Sequence, residues 1–267
     1  MRLFEFEGAD DELFHTLVGP AALDALQQAA ARSRSYSVRA YVGNDPRPRI
    51  VVVLGEAHLK LEHASVLGKD VISQFELRGV ETFQKKEVLF GRLLGPLIHG
   101  PRVLLRRLSL GLVKDSSIRD ALDRESGVTD RLERDHSVPK ALHAASVYLT
   151  LFFAIAFASF GTNLLALVLS AAWLRNTQAI LGTLLFVFQL HLLLVIPAVL
   201  FRRRSWAWLI HPALGLVTTR DVILSDGTQR MLIENSGPDA ALVILGRAHQ
   251  PGFGHELIAR FGFRRIL

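Results

Sequence analysis

Two stretches of this chain end an apolar run in the same way. Val51-Val52-Val53-Leu54-Gly55-Glu56-Ala57-His58 and Leu242-Val243-Ile244-Leu245-Gly246-Arg247-Ala248-His249 each run into a glycine, with a histidine three residues later. A single G-x-x-H carries little weight, because the spacing arises often by chance. The matched pair is more informative: of ten histidines, these are the two whose setting repeats. Two imidazoles plus a carboxylate can hold a Zn-, Mn- or Co-type ion and leave a position for water. Other chemistries lack their residues. The chain has no cysteine, hence no thiolate metal site, iron–sulfur cluster or cysteine nucleophile. Gly43-Asn44-Asp45 and Val66-Leu67-Gly68-Lys69 lack the glycine spacing of a phosphate-binding loop. Ser116-Ser117 and Ser225 stand in no nucleophile-elbow context.

The two motifs resemble the TraB/TIKI superfamily, which includes the GumN proteins. The likeness is strongest downstream, where Arg220-Asp221 opens a helix and Val243-Ile244-Leu245-Gly246-Arg247-Ala248-His249-Gln250-Pro251-Gly252 follows the G-x-x-H-x-P-G form of TraB-like members. Leu54-Gly55-Glu56-Ala57-His58 is also similar to the G-E-x-H of ChaN-like haem-binding proteins and erythromycin esterases. The resemblance spans roughly 37–90 and 215–267.

It implies a metal-dependent hydrolase, peptidase-like because TIKI members are metallopeptidases. On that basis His58 and His249 are ligands to a divalent ion (Mn, Co, Fe or Zn). Glu81, in Arg78-Gly79-Val80-Glu81, maps onto the family acid as a further ligand, with Glu76 the weaker choice. Arg220 matches the family arginine, whose permanent, forked charge suits an oxyanion or carboxylate. Glu56 or Glu81 would act as general base toward a water whose pKa the metal lowers. Two other functions fit the same residues: a non-catalytic signalling or membrane-organising protein, since fold does not guarantee chemistry, and a haem or metal binder using the same histidines.

Positioning these groups needs a sheet. Ile50–Leu54 and Ala240–Leu245 read as buried strands, and in open α/β sheets ligands gather at the carboxyl ends of strands. Glycine there permits a sharp turn or a close approach. Helices are expected over 20–32, 64–77, 118–134, 217–231 and 254–261, and further strands over 36–43, 79–81 and 263–267. The two histidines meet only if segments from both ends of the chain pair in one sheet. The expected fold is therefore α/β, a mixed central sheet with flanking helices of the TraB/TIKI type, interrupted by a transmembrane helical hairpin.

That hairpin is expected because Arg175 is the only charged side chain between Ala144 and Phe201. A helix needs roughly 20 apolar residues to cross a bilayer core, so 146–172 and 178–200 qualify as two spans joined at Trp173-Leu174-Arg175-Asn176-Thr177. The chain then divides into 1–140 with the first motif, the hairpin at 144–201, and 205–267 with Arg220 and the second motif. Arg131, Arg134 and Lys140 on one flank and Arg202-Arg203-Arg204 on the other predict a multi-pass integral membrane protein with both soluble parts cytoplasmic. In TIKI proteins the catalytic unit lies outside the cell; here it would face the cytoplasm, with a peptide as the expected substrate class. The basic apolar stretch 91–114 and residues 202–204 suit anionic lipid. That accounts for a net charge of +6 without a nucleic-acid partner. Asn163, Gln189 and His191 are the polar exceptions in the spans; with no Asp, Glu or Lys beside them, the spans read as an anchor.

Overall fold

In a computed structural model, the described residues are 9–43, 47–57, 60–81, 107–109, 113–114, 122, 126–135, 140–169, 171–194, 211–212 and 217–267. His58, residues 202–204 and nearly all of the basic stretch 91–114 lie outside them. The chain forms two compact units. One comprises Met1–Phe83, His99–His136 and Asp221–Leu267, the other Gln84–Ile98 and Ser137–Arg220.

The first unit is built on a six-stranded sheet. Among the described residues its strands are β1 (Tyr36–Gly43), β2 (Arg49–Glu56), β4 (Leu77–Val80), β6 (Val128–Arg131), β7 (Ala240–Gly246) and β8 (Arg264–Arg265), in the order β6-β4-β7-β2-β1-β8. Two further short strands, β3 (Lys60–Leu61) and β5 (Val113–Lys114), pair with each other. The four strands from β6 to β2 run parallel, and β1 and β8 add antiparallel neighbours. The sheet is thus mixed, as the sequence implies. β7 enters between β2 and β4, with Ile50 opposite Ala240 and Glu56 opposite Gly246. The upstream half of the chain therefore closes its sheet on a strand that comes from beyond the apolar block.

Both faces of the central strands are covered, which is why they are apolar without alternation. Ile50, Val52, Leu54, Leu242 and Ile244 pack with Phe14 of α1 (Ala9–Val18), Leu26 and Ala29 of α2 (Pro20–Arg32), and Val71 and Ile72 of α3 (Glu62–Ile72). Val51, Val53, Val243 and Leu245 pack on the other face with Leu224 and Met231 of α6 (Thr218–Glu234) and Phe253 and Leu257 of α7 (Gln250–Phe261). Proline at the first turn of α2 and of α7 supplies a helical φ where no N–H is required. A left-handed Gly262 (φ +67°) ends α7.

One element differs in kind from expectation. Residues 128–131, expected within a charged helix, form edge strand β6 instead. Only Asp130 of its four residues is buried, so the strand leaves no apolar alternation to read. Backbone pairing with β4, from Leu77 opposite Val128 to Val80 opposite Arg131, decides its conformation.

The second unit contains α4 (Lys140–Ala166) and α5 (Ala172–Leu193), which pack antiparallel. Near the connection, Nε2 of Gln178 donates to Oδ1 of Asn163 at 2.9 Å; at the far end, Tyr148 meets His191. The connection falls at 167–171 and not at 173–177. Ala171-Ala172-Trp173-Leu174 are residues that sustain a helix, so α5 runs back through Arg175 and the charge does not mark the turn. Among the described residues one helix segment, His143–Ala166, is long and apolar enough to cross a bilayer, where two spans were expected. α5 carries Arg175, Asn176, Gln178, Gln189 and His191 within its 22 residues, which lowers its hydropathy, and residues 195–200 of the expected second span lie outside those described. On α4, Phe160 is 62% exposed and Leu151 50%, apolar surface suited to lipid.

Candidate functional site

The carboxyl ends of β2, β7 and β4 lie side by side at Glu56, Gly246 and Val80. Glu81 follows β4 directly. Its backbone N–H donates to Ile244 O at 3.0 Å, and its Oε2 accepts from the Gly246 N–H at 2.6 Å. The carboxylate is thereby fixed across the end of β7. Beyond Gly246 the chain turns tightly, the His249 N–H donating to Gly246 O at 2.9 Å, and His249 becomes the residue that opens α7.

His249 is addressed by a carboxylate at each ring nitrogen. Nδ1 lies 2.6 Å from Oδ1 of Asp221, and Nε2 lies 3.8 Å from Oε1 of Glu81. All three side chains are buried: Glu81 is 4% exposed, Asp221 5% and His249 7%. Burial pushes the Asp221 carboxyl up to about 6, against the lowering effect of its hydrogen bond with His249; Glu256 and Glu81 raise it further. An Asp–His contact through Nδ1 sets the tautomer, leaving Nε2 with the lone pair.

The motif glycines keep this approach open. A Cβ on Gly252 would sit 1.7 Å from Oδ2 of Asp221, so the first turn of α7 can close over the aspartate only with glycine there. A Cβ on Gly55 would fall 2.5 Å from the side chain of Gln250. Gln250 lies in that space, donating to the Ser37 and Val53 carbonyls at 2.9 and 3.2 Å and accepting from the Ser37 hydroxyl at 2.6 Å. It ties the start of α7 to β1 and β2, so His249 is held on a fixed base.

Of the residues expected at the site, the structure brings His249 and Glu81 together. Glu76 stands exposed at the opposite, amino end of β4, so Glu81 is the acid at the carboxyl ends of the strands. Glu56 is buried, but strand alternation turns it to the face opposite Gly55, beside Tyr36. Burial first, and then the Glu56 carboxylate, push the Tyr36 phenol upward. Arg220 is buried in the first turn of α6, one residue before Asp221. His58 lies outside the described residues.

Sequence reasoning passed over Asp221 and Gln250, both inside quoted motifs. In Arg220-Asp221 the arginine drew attention because of its charge, whereas the aspartate makes the contact. Among the described residues, no group of three or more His, Asp or Glu is arranged to hold a metal ion. Asp221 serves the far nitrogen of His249, which leaves His249 Nε2 and Glu81 Oε1 as the facing donors. An imidazole whose Nδ1 is held by a carboxylate is a common form of metal-ligating histidine, so these residues fit part of a divalent site. No family model, curated protein or solved structure matches the chain.

Proposed function

We propose that the protein is a membrane-anchored, metal-dependent hydrolase of the TraB/TIKI type, acting on peptide-like carbonyl substrates at a site on the cytoplasmic side. The observation that carries this reading is His249, buried between Asp221 and Glu81 at the carboxyl ends of parallel strands. Apolar α4, with α5 packed on it, supplies the anchor, and the basic flanks supply the orientation.

His249 and Glu81, with His58 as the further ligand, would hold a divalent ion, which supplies Lewis acidity and lowers the pKa of a bound water. The chain's own groups do the rest. Asp221 holds His249 in the tautomer that presents Nε2. Glu81, fixed by the Gly246 N–H at Oε2 and facing His249 Nε2 through Oε1, would serve as the general base. Arg220 offers a permanent cation for a developing oxyanion. Glu56, on the other face of β2, has a structural part beside Tyr36.

The test is metal content of detergent-purified protein, wild type against a His58→Ala, His249→Ala double variant. About one Mn, Co, Fe or Zn per chain is expected in the wild type and none in the variant, with helix content unchanged. Asp221→Asn should weaken the metal affinity roughly 10- to 100-fold through the tautomer alone. Wild-type protein that takes up no ion even after loading would overturn the reading and favour a non-catalytic organising role.

A further inference from the structure

The rim of the candidate site carries two cations that the hydrolase reading leaves without a role. Gly246 and His249 are the ends of a tight turn, and Arg247 and Ala248 at its crest are exposed. Arg247 Nη1 donates to Arg34 O at 3.2 Å, the one hydrogen bond of that guanidinium among the described residues. Arg34 is itself exposed, in the turn between α2 and β1. Both arginines are fixed to the end of β2. The Ala57 N–H donates to Ser35 O at 2.8 Å, and the Arg247 N–H donates to Glu56 O at 3.1 Å. Three segments, 33–35, 56–57 and 246–247, thus gather two guanidinium side chains at the carboxyl ends of β2 and β7.

Among the described residues, no carboxylate pairs with either arginine. Three other exposed arginines of this unit are answered by an acid: Arg264 by Asp10 at 2.6 Å, Arg260 by Asp226 at 2.8 Å and Arg47 by Asp239 at 3.0 Å. The acids at this end of the sheet are buried and turned elsewhere. Glu81 and Asp221 meet His249, and Glu56 lies beside Tyr36. Two like charges gathered without a counter-charge are relieved by an anion. A guanidinium presents five donors in a planar fork that matches a carboxylate, and Arg247 has used one of them. Neighbouring strands lie about 4.8 Å apart, so a guanidinium reaching from the end of β7 to the start of β1 crosses about 10 Å. That is the length of two or three residues of extended peptide.

Resting on the hydrolase reading, we propose that Arg247 and Arg34 form a subsite for a substrate carboxylate, which selects peptides carrying an acid two or three residues from the bond that is cut. An acidic side chain and a free C-terminus supply the same chemistry. Arg247 is the pre-organised member, tied at one nitrogen to the Arg34 carbonyl, and Arg34 adds the second charge.

The test measures binding apart from cleavage. The full chain in detergent, stripped of metal with EDTA, is dialysed at low salt against three otherwise identical hexapeptide pools. One has a free C-terminal carboxylate, one is amidated and carries a single Glu, and one is amidated with Gln in its place. At least one acidic pool should bind about 10-fold tighter than the neutral pool, and which one identifies the source of the carboxylate. Arg247→Gln should cut that preference roughly 5-fold, and adding Arg34→Gln should abolish it, with circular dichroism unchanged. Arg265→Gln, the same loss of charge beside Tyr41 toward the other end of β1, should leave it intact. In metal-loaded protein, mass spectrometry of the products should place the acid two or three residues from the cut. Equal binding of all pools by wild type overturns the proposal, as does a preference that survives the double variant or falls equally in Arg265→Gln. Cleavage of neutral and acidic peptides alike would overturn it while leaving the hydrolase reading in place. A protein that takes up no metal and cuts nothing, yet loses its acid preference in the double variant, would support the carboxylate subsite and sink the hydrolase reading. Loss of binding to phosphatidylserine vesicles in the double variant, with peptide selection unaltered, would assign the arginines to lipid and overturn the proposal.

Discussion

The two units bury polar groups under opposite rules. In the α/β unit, charge is buried and answered. Asp130, 4% exposed, receives Arg230 at 3.1 Å and Arg134 at 3.5 Å. Arg78, 1% exposed, donates from Nε to Phe75 O at 2.7 Å, and Arg49 caps the end of α6 by donating to Ser236 O at 3.2 Å. His249 has a carboxylate toward each nitrogen. In the helical unit, the described pairings join neutral groups: Gln178 with Asn163, Tyr148 with His191, and the hydroxyls of Thr150, Thr162 and Thr183 with carbonyls of their own helices. A buried charge is tolerated where dipoles and counter-charges surround it, and the apolar helical pair offers few of either, so its described polar pairs are neutral. Histidine shows the difference most directly: His249 has a carboxylate toward each ring nitrogen, whereas His191 meets a neutral phenol and His211 has no hydrogen-bond partner among the described residues.

Glycine offers the sharpest way to break that contrast. Gly252→Ala places a methyl 1.7 Å from Oδ2 of Asp221, whose other oxygen is held by His249. The expected cost is about 3 kcal/mol, the upper part of the overpacking range, seen as a Tm lower by roughly 6–12 °C. Gly161→Ala in α4 meets nothing within 4 Å and should instead stabilise by about 0.5–1 kcal/mol. Thermal unfolding in one detergent compares the two. Equal effects of the same sign would mean that the close approach of α7 to Asp221 does not exist.

The pH dependence of stability probes the buried carboxylate next. Asp221 has a folded value of about 6 against an ordinary 3.8. Below about pH 4 the group is protonated in the folded and the unfolded chain alike. Between about pH 4 and pH 6 the unfolded chain releases a proton that the folded chain keeps, so stability falls as pH rises through this window and levels off above it. The loss is on the order of 2–3 kcal/mol. Asp221→Asn lacks it, so the variant should gain that much relative to wild type between about pH 4 and pH 7 in denaturant titrations. Parallel profiles for the two proteins would place Asp221 in contact with water.

How much of this was legible in the sequence depends on whether a signal was local. The strands at 49–56 and 240–246 were readable because β-branched apolar runs ending in glycine leave few alternatives, and their glycines fall at the same end of the sheet. Their adjacency could only be stated as a requirement, since β7 reaches β2 across the whole apolar block. Asp221 stood in plain view but 28 residues from His249, and nothing local shows which way the first turn of α6 faces. β6 was hidden because a short edge strand with one buried residue has no period to detect. The turn after α4 is hard to place from sequence because Arg175 looks like its marker, whereas the helix already begins at Ala172. His191 read as a lone polar residue for a similar reason: its neighbours Tyr148 and His211 are 43 and 20 residues away along the chain.

The smallest effect tests the neutral side of the comparison. The Gln178–Asn163 bond joins α4 to α5 near their connection, and on the proposed membrane placement such a side-chain hydrogen bond contributes about 0.6 kcal/mol. A double-mutant cycle of Gln178→Leu and Asn163→Leu, read by unfolding in mixed micelles, should return a coupling of about that size. The value is small because an opened helix pair still lets each amide find other partners. A coupling above about 2 kcal/mol would mean that the amides have no alternative once parted, as at a site sealed from both water and other helices. The helical unit would then pair its polar groups as rigidly as the α/β unit does, and the contrast between the two would rest on charge alone.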